Sequence, residues 1–103
     1  MSSEPTIRSI LDAAGAALSN VRAATAGPTA SWARGHQVFA IFDGTRVELR
    51  LDIPIAAAAM KTPDTTVSAR GPEWVSFSPA RLDDHAVDRL TAWFALGYRR
   101  AES

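Results

Sequence analysis

Hydrophobic and charged residues alternate strictly along residues 46–52 of this chain. A period of two is typical of a half-buried antiparallel strand that has one face on a core. The apolar set, which we expect to face the core, is Val47, Leu49 and Leu51. The charged set, which we expect to face solvent, is Arg46, Glu48, Arg50 and Asp52. This alternation predicts one strand of a sheet and the orientation of its side chains.

A second apolar run, residues 37–42, precedes this strand and is separated from it by Asp43-Gly44. Asp-Gly between two apolar runs predicts a hairpin, because glycine reaches positive φ without a Cβ clash. The run carries apolar residues on both faces: Val38, Ala40 and Phe42 on one, and Phe39 and Ile41 on the other. Such a strand is usually central and covered on both sides.

A first helix is predicted from Pro5 to Ala24. Ser3 is a suitable N-cap, Glu4 lies at the positive end of the helix dipole, and proline is favoured in the first turn. The apolar stripe with helical spacing consists of Ile7, Ile10, Leu11, Ala14, Leu18 and Val21. The dipeptide at positions 27–28, Gly-Pro, ends the predicted helix.

The remaining pattern predicts three more strands and two more helices. The strands span residues 29–34, 65–69 and 73–77, and a short helix opened by Pro54 spans residues 55–61. The last helix is predicted from Asp83 to Arg100, with acidic residues in its first turns and arginines in its last turn, as the helix dipole favours. Its main apolar stripe is Val87, Leu90, Phe94 and Tyr98, with Trp93 and Gly97 beside it.

This order of elements, α-β-β-β-α-β-β-α, predicts the α+β class. We expect a five-stranded, mostly antiparallel sheet packed against the N- and C-terminal helices. The 103 residues are enough for one domain with one core, so we expect a single domain over residues 1–103.

Composition narrows the possible functions. The chain has no cysteine, which excludes disulfides, thiolate metal sites and a thiol nucleophile. Eleven basic and eleven acidic residues give zero formal net charge, which disfavours a nonspecific nucleic-acid binder. No signal peptide or membrane-spanning apolar run is found, so we expect a cytoplasmic protein. Its oligomeric state, monomer or homodimer, is left open.

Catalytic signatures are weak. The two histidines, His36 and His85, are predicted at the mouth of a strand and in the first turn of a helix. Neither sequence neighbourhood supplies the burial and the oriented partner that tune a catalytic histidine. No nucleophile elbow and no glycine-rich phosphate loop occur. We therefore expect no catalysis, no metal and no cofactor, and an unrecognised enzyme ranks third among the functional hypotheses.

The first hypothesis is a non-catalytic binding or interaction domain that acts through a protein partner or a small ligand. Tryptophan and arginine are enriched at binding surfaces, although core packing is the more common role of a tryptophan. The candidate binding residues are Trp32, Arg34, His36, Arg46, Arg50 and Trp74. The alternative is nucleic-acid binding through a strip formed by Arg46 and Arg50, where the intervening Glu48 instead favours a charge-paired strand face.

A set of short motifs between Trp32 and Arg100 resembles the YjbR/MmcQ family of small bacterial proteins. The motifs are Trp32 and Arg34 before Gly35, the strand 38–41, the strand 47–52, Trp74-Val75-Ser76-Phe77, and Leu96-Gly97-Tyr98. The resemblance implies an α/β fold of the type shared with secretion chaperones. The segments Asp52-Ile53-Pro54, 71–77 and Tyr98-Arg99-Arg100 also resemble a family of small luciferase-like proteins of unknown function. Neither resemblance supplies a catalytic signature.

Overall fold

The computed structural model describes residues 6–101 as three helices and six strands. In chain order these are α1 (Ile7–Ala16), β1 (Val21–Ala26), β2 (Thr29–Arg34), β3 (Gln37–Phe42), β4 (Val47–Arg50), α2 (Ile53–Ala59), β5 (Thr65–Val67), β6 (Trp74–Phe77) and α3 (Asp84–Arg100). The strands form one antiparallel sheet in the order β1-β2-β3-β4-β6-β5. The predicted α+β class and antiparallel sheet are confirmed, with six strands rather than five.

The additional strand comes from the region predicted as the second half of the first helix. Helix α1 begins after its N-cap Thr6, which forms a capping box with Ser9, and it ends at Ala16. Asn20 then adopts a left-handed backbone with φ of 61°, which turns the chain into β1. The prediction of a helix to Ala24 was therefore wrong, because pairing with β2 overrides the helix propensity of the alanine-rich segment. The predicted capping residues, Ser3 and Glu4, lie outside the described residues.

Strand β3 is central, but its side chains do not follow the predicted alternation. Its pairing with β2 shifts so that Trp32 faces Ala40 while Ala33 faces Val38, which leaves Phe39 as the extra residue of a bulge. Phe39 and Ala40 are both buried, and the Phe39 ring packs on Phe94 and Tyr98 of α3. The bulge therefore puts two consecutive residues on the helix-covered side, and coverage of both faces was wrongly predicted.

The core lies between one face of the sheet and the helices. Val47, Leu49 and Leu51 are fully buried, as the alternation in β4 predicts. Helix α3 occupies nearly its predicted span, with Asp83 as N-cap, and buries Leu90 and Phe94. The small side chains that α2 buries, Ala56 and Ala59, belong to the same core. Ile41 and Trp74 do not belong to it, because their side chains project from the opposite face of the sheet.

The turn between β3 and β4 contains the one carboxyl whose pKa is clearly shifted among the described residues. The backbone N–H groups of Arg46 and Thr45 both donate to Asp43 Oδ1 at 2.9 Å, and they hold the pKa of Asp43 below its ordinary value of 3.8. A lowered folded-state pKa stabilises the fold above the unfolded-state pKa, and this stabilisation is lost as pH falls through the folded-state pKa.

Asp43→Asn preserves the acceptor oxygen but removes the charge. We therefore expect this variant to have a lower melting temperature than the native protein at neutral pH. The difference in melting temperature between the two proteins should shrink as the pH falls below 3.8. Thermal melts of both proteins across this range measure it, and a difference that stays constant with pH would contradict the assignment.

Candidate ligand-binding site

A cleft opens where β1 and β2 meet the C-terminal end of α3. Its volume is about 570 Å³, within the range of small-molecule sites. The lining residues are Asn20, Val21, Arg22, Arg34, Gly35 and Ala101. They come from the α1–β1 loop, the start of β1, the end of β2 and the end of α3. The cleft is therefore assembled from four parts of the chain that only the tertiary fold brings together.

Arg34 is fixed in the wall of this cleft by α3. Its guanidinium carbon lies 4.0 Å from the centroid of the Tyr98 ring, and Nη1 donates to the Tyr98 carbonyl oxygen at 3.1 Å. The Tyr98 hydroxyl in turn donates to the carbonyl oxygen of Ser19 at 2.7 Å. These contacts tie β2, α3 and the α1–β1 loop to one another, so the half-buried Arg34 side chain is pre-positioned.

The other polar residues that line the cleft are Arg22 and Asn20. Arg22 is an exposed residue of β1, opposite Ala33 of β2. Asn20 and Gly35 both have left-handed backbones with φ of 61°, and they lie in the turns before β1 and after β2. Asparagine and glycine are the residues that adopt this conformation most readily. Among the described lining residues the charged groups are Arg22 and Arg34. Because Val21, and not Arg22, is the β1 residue paired with Arg34, the Arg22 side chain projects from the other face of the sheet.

The predicted arginine strip has a different environment. Arg46 precedes β4 and lies beside the carboxylate of Asp43, with Nε 3.5 Å from Oδ2. Arg50 donates to Glu73 at 2.9 Å, and Glu73 also accepts from Arg100 at 2.5 Å. Both arginines of the strip are therefore charge-compensated by nearby carboxylates.

Trp74 belongs to the face of the sheet opposite the core. The Arg70 guanidinium lies 5.6 Å from the centroid of its ring, and Arg70 also donates to Glu48 at 3.0 Å. Glu48 Oε2 accepts a further hydrogen bond from Ser68. These contacts create a charge-paired surface on the β4–β6 side of the sheet, which is the environment that Glu48 favoured in the sequence.

The structure separates the remaining candidate residues. Trp32 is only 1% exposed and packs edge-to-face on Phe94, so it contributes to the core. Trp93 packs on Phe77 in the same core, whereas Trp74 lies across the sheet, so the three tryptophans do not meet in one groove. His36 is exposed in the β2–β3 turn, and His85 is exposed in the first turn of α3.

Of the six candidate binding residues, Arg34 lines the cleft and Trp32 lies two residues away on the same face of β2. Sequence reasoning missed Asn20 and Arg22, because it placed them inside the first helix. The signal that could have identified them is Asn20 itself, since asparagine readily ends a helix in the left-handed conformation.

The chain matches no family model, no curated protein and no solved structure. Within residues 6–101, no group of three or more histidine or acidic side chains is placed to bind a metal ion. None of the helices in the same range combines the length and the apolar character that crossing a bilayer requires.

Proposed function

We propose that this protein is a binding domain for a small anionic molecule, a carboxylate or a phosphate. The observation that supports the proposal is the 570 Å³ cleft, whose lining includes the guanidinium of Arg34 held in place by Tyr98. Guanidinium groups bind carboxylate and phosphate through paired, charge-assisted hydrogen bonds. A pre-positioned Arg34 lowers the entropy that a ligand must lose on binding.

Binding rather than catalysis follows from the chemistry of this lining. An arginine stays protonated in proteins and does not act as a general base. Asn20 adds only a neutral amide. These groups recognise charge and shape but do not exchange a proton with a bound molecule.

The membership in the YjbR/MmcQ family, the bacterial origin and the cytoplasmic location remain predictions.

The charge pairing of Arg46 and Arg50 favours the small anion over nucleic acid as the ligand. A nucleic-acid strand would have to compete with Asp43 and Glu73 for these guanidinium groups. In the cleft, the Arg34 guanidinium is held in place by α3. A small ligand also matches the size of the cleft, whereas a polyanion needs a longer basic surface.

We expect acetate and inorganic phosphate to shift the backbone amide resonances of Asn20, Arg22 and Gly35 in a saturable manner. Arg34→Gln should weaken the binding at least about tenfold, the typical effect of losing a hydrogen bond to a charged group. Arg22→Gln should weaken it less, because the Arg22 side chain projects from the other face of the sheet. Titrations followed by NMR measure these affinities.

Arg81→Gln is the matched control, because it removes the same charge from an exposed residue that does not line the cleft. It should bind both anions as the native protein does. Equal weakening by all three variants would mean that the anions respond only to net charge, and it would contradict the proposed site.

A further inference from the structure

A second cavity adjoins the arginine cleft beneath α1. Its volume is about 200 Å³. It is lined by Asp12, Gly15 and Ala16 of α1, Val21 and Ala23 of β1, and Trp32 of β2. Val21 lines both cavities, so its side chain marks the point where they meet.

The floor of this cavity contains a hydrogen-bond donor without a partner. Trp32 is only 1% exposed, and no hydrogen bond from its indole Nε1 occurs among the described residues. A Cβ atom built on Gly15 would lie 3.3 Å from Nε1 and 3.1 Å from Cδ1, so this edge of the indole lies against Gly15, and both residues line the cavity. Among the described residues the fully buried side-chain atom without a hydrogen-bond partner is Arg50 Nε and not Trp32 Nε1, so the indole N–H reaches the open space of the cavity. The indole N–H is thus available to an acceptor that enters the cavity.

The two cavities lie along the same strand pair. Trp32 and Arg34 project from the same face of β2, about 7 Å apart along the strand. The β1 residues opposite them are Ala23 and Val21, which are small or medium in size and leave room above the sheet. Asp12 lies at the Trp32 end, in an ion pair with Arg8 at 3.0 Å. The Arg8 guanidinium that pairs with this carboxylate also lies 5.9 Å from the centroid of the Trp32 ring, so the charges at this end compensate each other. A ligand that spans both cavities is therefore oriented by Arg34, with its negative end there.

From this arrangement, and resting on the proposed anion site, we infer the ligand class. The ligand is an anion that also has a short apolar body and one neutral hydrogen-bond acceptor. Its carboxylate or phosphate binds in the arginine cleft, its body contacts Val21 and Ala23, and its acceptor oxygen receives the hydrogen bond from Trp32 Nε1. Gly15 is a specificity-determining position, because a Cβ atom there would lie 3.1 Å from Trp32 Cδ1 and would block this edge of the indole.

The test compares three probes in NMR titrations: acetate, pentanoate and 4-oxopentanoate. Acetate contains only the anionic end, pentanoate adds the apolar body, and 4-oxopentanoate adds the acceptor. We expect 4-oxopentanoate to bind at least about tenfold more tightly than acetate, with pentanoate between them. The indole N–H resonance of Trp32, assigned with Trp32→Phe, should shift with 4-oxopentanoate and not with acetate.

Two variants fill the cavity from opposite sides, which keeps the test valid if one of them perturbs folding. Gly15→Ala and Ala23→Val should each reduce the advantage of 4-oxopentanoate to less than twofold and leave the acetate affinity unchanged. Ala24→Val is the matched control, since the next residue of β1 projects from the other face of the sheet and should change neither affinity.

Acetate binding that depends on Arg34, without any gain from the longer probes, would overturn this inference and leave the proposed function intact. A gain that survives both cavity-filling variants would also overturn it. If none of the three anions binds in the cleft, the proposed function fails, and the inference fails with it.

Discussion

Replacing Phe94 with alanine is expected to lower the free energy of unfolding by roughly 3–5 kcal/mol. Phe94 is fully buried, and its ring makes edge-to-face contacts with Trp32 at 6.1 Å and Phe39 at 4.9 Å between centroids. These contacts join α3 to β2 and β3, so the cavity left by alanine would lie at the centre of the core. The free energy of unfolding of a domain of this size is typically only about 5–15 kcal/mol, so the variant would retain little stability.

Thermal and chemical denaturation measure this effect. The melting temperature should fall by roughly 12 °C or more, since each kcal/mol corresponds to about 4–8 °C in a domain of this length. Thr91→Ala, an exposed position on the same helix, should change the free energy of unfolding by no more than about 0.5 kcal/mol. A shift of only a couple of degrees for Phe94→Ala would exclude a central role for this ring.

The elements predicted best are those in which several local signals agree. In α3 the N-cap Asp83, the acidic first turn, the basic last turn and the apolar stripe all indicate one helix, and the structure places it at Asp84–Arg100. The alternation in β4 likewise determines which side chains are buried, because a shift by one residue would bury charges. Such elements are specified by residues near to one another in the sequence.

The elements predicted poorly depend on pairing across the fold. The segment of β1 is rich in alanine and has no clear period, so its strand conformation follows from hydrogen bonding to β2. The bulge at Phe39 depends on the register between β2 and β3, which strict alternation does not encode. In both cases the deciding interactions lie outside the local sequence window.

The distinction between features set by the local sequence and features set by the tertiary fold also applies to the candidate site. Arg34 was identified from sequence because it lies in a recognisable strand next to a glycine turn. Its neighbours Asn20 and Arg22 were missed, because their position in the cleft requires the chain to reverse after α1. The pairing of Arg50 with Glu73 also joins two separate strands. Sequence pattern therefore identifies individual charged residues, whereas the fold decides which of them share a surface.

Substituting leucine for Gly97 is expected to separate α3 from the sheet. A Cβ atom at this buried position would lie 3.0 Å from the carbonyl oxygen of Arg50 and 3.4 Å from that of Phe39. Both neighbours are backbone atoms of β4 and of the β3 bulge, so neither can move aside like a flexible side chain. We expect Gly97→Leu to destabilise the fold by roughly 3 kcal/mol, at the upper end for overpacked cores.

Leucine has a higher helix propensity than glycine, so any loss of stability in Gly97→Leu must come from the contact with the sheet and not from the helix itself. Ala92→Leu introduces the same side chain at an exposed position of α3 and should leave the free energy of unfolding within about 0.5 kcal/mol of the native value. Urea denaturation of both variants gives the comparison. If Gly97→Leu were as stable as Ala92→Leu, the close approach of α3 to β3 and β4 would be wrong, and so would the position of Tyr98 over Arg34 that forms one wall of the cleft.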